Sequence, residues 1–165
     1  MKKTIYLWIS NEGWNPYDYE LQSTKDLLKS KSINIGEGAE IGDEIKIGDV
    51  AKISDGVKIG DGTEIGYGAK IGSGAKIGNR AEIGYITKIG CGAKIGCGAK
   101  ISDEAKIGAG AKIGCKAKIG YRAKIGNRTE IGDGTEIGYR AEIGDEIKIG
   151  EEAKINDGAK IVKSL

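Results

Sequence analysis

Few side chains in this chain can do chemistry, and most of them recur at multiples of six residues. Three cysteines, Cys91, Cys97 and Cys115, are the strongest nucleophiles present. A cysteine nucleophile needs a neighbouring base, and histidine, the usual one, is missing from all 165 residues. Glutamates such as Glu64 and Glu82 could take a proton if burial raised their pKa. Zinc normally wants four nitrogen or sulfur ligands, which three scattered thiols do not supply. No metal site and no cofactor is therefore implied. Four tyrosines, Tyr67, Tyr85, Tyr121 and Tyr139, share one position of the repeat, and Arg122 and Arg140 follow the second pair.

The elements that must position these groups are set by isoleucine. It falls on every sixth residue from Ile35 to Ile161, 22 times without insertion or deletion, in units of the form Ile-Gly-x-x-Ala-Lys. A period of six is neither helical nor that of one long strand. Ala-Lys-Ile alternates apolar, charged, apolar, which is the pattern of a half-buried strand. Gly-x-x supplies the turn. Glycine follows isoleucine in 18 of the 22 units, and ten units carry a second glycine two residues later, where a corner calls for positive φ. Each hexad is one short strand and one corner, and stacked hexads make a solenoid.

Over residues 33 to 161 this pattern resembles the hexapeptide-repeat family, whose fold is the left-handed parallel β-helix. The resemblance implies triangular coils of three hexads each, about seven in all, in a prism of about 35 Å. It also implies all-β architecture, trimer-like homo-oligomers and, in many members, acyl transfer with a histidine as general base, or zinc held by three histidines. With no histidine, neither function has a residue to carry it. The expected function is accordingly a non-catalytic structural or interaction protein, a rigid charged rod. The alternatives are an acyltransferase-like enzyme and a polyanion-binding protein using its lysine faces.

In such a coil residues 18 apart stack. The outward strand position then forms three faces, which read Asn34, Lys52, Lys70, Lys88, Lys106, Lys124, Glu142, Lys160 on the first; Glu40, Lys58, Lys76, Lys94, Lys112, Glu130, Lys148 on the second; and Lys46, Glu64, Glu82, Lys100, Lys118, Glu136, Lys154 on the third. Residues 84 to 128 hold ten lysines and arginines against Asp103 and Glu104, a basic waist on a chain whose net charge is only +2. Lys88, Lys106 and Lys124 are candidate contacts for an anionic partner, as against a solvated face that simply keeps the rod soluble. The tyrosine corner with Arg122 and Arg140 is the second candidate contact, as against plain ladder packing. Cys97 and Cys115 fall on one corner a coil apart, within disulfide reach but with parallel Cβ vectors; free surface thiols are expected.

Residues 1 to 32 differ in composition and read as a capping segment, with 33 to 165 as the β-helix. The segment holds both tryptophans and the single proline. Lys3 to Ile9 predicts a strand, Asn11-Glu12-Gly13 and Asn15-Pro16 predict turns, and Tyr19 to Lys29 a short helix. Trp8 and Trp14 are expected to plug the open end of the prism, with partner binding as the other reading. The apolar run Ile5 to Ile9 is too short for a signal peptide, and no stretch approaches a membrane span, so a cytoplasmic location is expected.

Overall fold

The computed structural model describes residues 3–10 and 12–163. From β3 (Asn34–Ile35) to β24 (Lys160–Ile161) the chain winds as a left-handed parallel β-helix of about seven coils, one short strand per hexad. Strands three apart in sequence pair in parallel, giving three sheets that form the first, second and third faces, of eight, seven and, with two N-terminal strands added to the last, nine strands among the described residues. The register places like positions on each other: Lys88 lies beside Lys70 and Lys106, and Ile89 beside Ile71 and Ile107. Isoleucines and the small residues two positions before them face inward and are buried, whereas the lysines and glutamates between them stand outward. That is the period-two rule applied to three residues at a time.

Four inward small positions are threonine rather than alanine, and all four are completely buried. Their hydroxyls donate to corner carbonyls, as Thr87 does to Ser102 at 3.0 Å and Thr129 to Gly144 at 2.6 Å. Among the described residues no buried side-chain polar atom lacks a partner.

The two corner glycines do different work. The second occupies a left-handed position in every hexad that has it, such as Gly74 at φ +67°. Residues other than glycine accept the same conformation elsewhere, Ile86 (φ 52°) and Arg122 (φ 58°) among them. The glycine directly after isoleucine is not a turn residue in that sense. A Cβ on Gly66 would lie 2.6 Å from the Gly84 carbonyl carbon, and one on Gly72 would lie 2.6 Å from the Cys91 amide nitrogen. Close stacking of successive corners requires it.

The N-terminal segment departs from expectation in two places. β1 (Thr4–Ile9) pairs in parallel with Ile45–Ile47 and extends the third face, and β2 (Gly13–Asp18) runs antiparallel outside it. Asn15-Pro16 is therefore strand, with Pro16 opposite Tyr6. An edge strand tolerates proline because its missing N–H is not asked to pair on the outer side. The turn expected at Asn11-Glu12-Gly13 falls partly on Asn11, outside the described residues; Glu12 donates its amide to the Ile9 carbonyl. The helix α1 (Gln22–Ser30) begins later than Tyr19.

The tryptophans do not fill the end of the core. Trp8 and Trp14 are 47% and 37% exposed and meet edge to face with centroids 5.6 Å apart. Ile5, Leu7, Leu28 and Ile33 close the core instead. Alternation along β1 turns Ile5 and Leu7 inward and so sends Trp8 to the outside. At the other end Ile149, Ile155 and Ile161 are only partly covered. Among the described residues no helix is long and apolar enough to cross a membrane.

Candidate functional site

Three corners run the length of the prism, and their chemistry has separated. The edge between the third and first faces carries the tyrosines. Tyr67 and Tyr85 stack with centroids 5.3 Å apart and planes 13° from parallel, and Tyr121 and Tyr139 stack at 5.7 Å and 12°. Arg122 lies over Tyr121, and Arg140 over Tyr139, each 4.9 Å from the ring centroid. Arg122 also grips Glu104 through Nε at 2.7 Å, and the Tyr121 hydroxyl donates to the same carboxylate at 2.8 Å. Those two donors hold the Glu104 carboxyl below its usual range, and the hydrogen bond to that carboxylate pushes the Tyr121 phenol up. Tyr67, Tyr85, Ile86 and Tyr139 are exposed along this edge, Tyr121 is half-buried, and Trp14 shares a groove with Tyr121.

An aspartate ends each tyrosine pair. Asp103 Oδ1 accepts the Tyr85 amide and Asp157 Oδ1 accepts the Tyr139 amide, both at 2.8 Å. The same bond recurs on the other corners, where Asp133 takes the Cys115 amide and Asn127 the Ala109 amide. Reading the sequence for columns finds these aspartates, but only the structure identifies them as caps on the coil below.

On the third face Glu64 and Glu82 lie side by side in register. A groove there is lined by Trp14, Glu64, Glu82, Lys100, Ser102 and Tyr121. Lys100 Nζ is 2.8 Å from Glu82, which raises the lysine pKa, and Lys46 Nζ is 2.6 Å from Glu64. Both carboxylates are about half exposed.

The lysine ladders are less uniform than the waist suggested. Lys124 bonds Glu142 at 2.6 Å, Lys112 bonds Glu130 at 2.7 Å, and Lys118 bonds Glu136 at 2.8 Å, each reaching an acid one coil further on. Lys88 and Lys106 make no ion pair among the described residues, nor do Lys52, Lys70, Lys76 and Lys94. The uncompensated charge thus sits nearer the N-terminal half than the count along the chain implied. Cys97 and Cys115 share the edge between the second and third faces, Cys91 lies on another, and all three are free thiols. The described residues contain no cluster of three or more metal-binding side chains.

The fold is shared with a known enzyme. A UDP-N-acetylglucosamine acyltransferase from Bacteroides fragilis superposes with a TM-score of 0.67 at 24% identity, over 79% of this chain and 63% of that one. The corresponding enzyme from Francisella novicida gives 0.48 at 20% identity, over 79% and 61%. The chain spans less than two thirds of the length of these two proteins. No curated protein matches the sequence. Residues 38–73, 50–85, 86–121 and 104–145 match the family described as bacterial transferase hexapeptide (six repeats).

This match corrects the expectation of a non-catalytic structural rod, since the repeats are those of a transferase family. A missing imidazole excludes one general base and leaves carboxylates, two of which the third face sets beside an ammonium group. The chain belongs to the bacterial transferase hexapeptide family.

Proposed function

We propose that this protein is acyltransferase-like and moves an acyl group from a thioester to a sugar or amine acceptor. The observation that carries the reading is the family match across residues 38–145. The third-face groove is the favoured site, because it combines adjacent glutamates, a lysine and aromatic rings. In this scheme the acceptor oxygen or nitrogen attacks the thioester carbonyl carbon and its proton passes to Glu82. The carbon–sulfur bond then breaks, and the departing thiolate recovers that proton. Lys100 offers positive charge to the oxygen of the tetrahedral intermediate.

An open, half-exposed face is too wet for this chemistry to be efficient. We therefore propose that a second copy covers it, meeting the strip formed by Trp14, Tyr67, Tyr85, Ile86, Tyr121 and Tyr139. Thiol release from a panel of coenzyme A thioesters, with sugar and amine acceptors, tests the activity. Glu82→Gln should lower turnover by about 10²–10⁴-fold, and Lys118→Ala should not. Absence of thiol release above background at concentrations where the oligomer forms would overturn the reading.

A second reading is favoured by the six lysines of the first and second faces that have no carboxylate partner among the described residues: an anionic partner on those two faces.

A further inference from the structure

The edge between the first and second faces differs from the other two. In the three central coils its corner residues are Ser73-Gly74, Cys91-Gly92 and Ala109-Gly110, all small and uncharged. On one flank Lys52, Lys70, Lys88 and Lys106 stack in register; on the other stand Lys76 and Lys94. These are the same six that make no ion pair, and neighbours in each ladder repeat at about 4.8 Å. The result is a narrow, straight ridge with rows of ammonium groups down both sides. Acids stand on this edge only towards its ends, at Glu37 and Asp55 and at Asp145-Glu146.

We propose that this ridge binds double-helical nucleic acid by its phosphates, without reading sequence. The inference rests on the anionic-partner reading and names the partner. A duplex presents two phosphate rows on either side of a groove, so a ridge charged on both flanks meets both rows at once. A flat membrane surface would engage one face and leave the other lysine row in water. Single strands are bound through stacking on aromatic rings, and the ridge has none. It also lacks the amides and carboxylates that would hydrogen-bond sugar hydroxyls. With no side chain able to contact base edges specifically, affinity comes from the backbone alone.

The test uses fluorescence anisotropy with a short labelled DNA duplex of mixed sequence, at several salt concentrations. Log affinity should fall linearly with log salt with a slope of up to about −5, set by six neutralised phosphates. Lys70→Glu/Lys88→Glu/Lys94→Glu should lose binding by at least about tenfold, one ammonium–phosphate contact being of that order. Lys46→Glu/Lys118→Glu/Lys154→Glu, all on the third face, makes the same change in net charge away from the ridge and should lose much less. Equal losses in the two triple variants would overturn the proposal, since net charge alone would then explain binding. The thiols give a readout on the unaltered protein. Duplex should slow alkylation of Cys91, on the ridge, and leave Cys97 and Cys115, on another edge, unaffected. Uniform protection or none would also overturn it. Heparin binding without duplex binding would reject nucleic acid but keep the anionic-partner reading; binding of neither at low salt would reject both.

Discussion

Two edges of this prism have the same backbone and opposite surfaces. The edge between the third and first faces carries stacked tyrosines, with Ile86 exposed among them and Arg122 and Glu104 bonded to Tyr121. The edge between the first and second faces exposes serine, glycine, cysteine and alanine between bare lysines. Both turn at a left-handed residue, and both carry a close-packed glycine one residue after the isoleucine. The repeat therefore constrains the inward and corner-backbone positions and leaves the outward ones free to diverge. A flat solenoid can hold one kind of partner on one edge and a different kind on the next.

If the edges share one core, then Ile83→Ala, before the tyrosine edge, and Ile71→Ala, before the lysine edge, should each cost about 2–5 kcal/mol. Both side chains are buried in the same stack. Chemical denaturation should place the two variants close together, and a wide gap would mean that the edges are not energetically equivalent.

Next in size come the close-packed glycines. Gly66→Ala and Gly72→Ala force a methyl against the backbone of the next coil, at about 1–3 kcal/mol or more. Here again the two edges should agree.

The left-handed residues should separate them. Gly74→Ala on the lysine edge puts a side chain at φ +67°, costing about 1 kcal/mol, whereas Ile86→Gly on the tyrosine edge removes that strain and should stabilise by a similar amount. Melting curves in dilute solution, where association does not contribute, should show shifts of opposite sign.

The smallest effect concerns acid. Glu104 has its folded pKa lowered by Arg122 and Tyr121, so its stabilising contribution is present above the ordinary glutamate value of 4.5 and is lost as pH falls through the lower folded value. Glu104→Gln should flatten the acid limb of stability slightly. High salt should do the same to the wild type, the pair being exposed. An unchanged acid limb would show that the Arg122–Glu104 contact does not matter to folding.

Association sharpens the contrast from the other side. Tyr85→Ser/Tyr121→Ser should reduce the mass seen by light scattering, while the ridge variant Lys70→Glu/Lys88→Glu/Lys94→Glu should not.

Much of this was legible in one dimension. Isoleucine at every sixth position dictates short strands, an inward column and an outward charged position, because a strand alternates faces and nothing interrupts the period. Stacking of Tyr67 on Tyr85 follows from the same arithmetic. The aromatic pair at the N-terminus was not legible: composition marks Trp8 and Trp14 as apolar, but the pleat of β1 sends the core contact to Ile5 and Leu7. The columns set Glu142 next to Lys124, but whether the two side chains close into an ion pair was not legible; they do, at 2.6 Å. Lys106, with a lysine on either side in its column, stays bare, whereas Lys124 reaches across to the acid of the next coil. Local pattern determined the repeat, because strand alternation and tight corners act over a few residues. Tertiary structure decided the electrostatics and the groove beside Glu82, because charges interact through space between coils 18 residues apart.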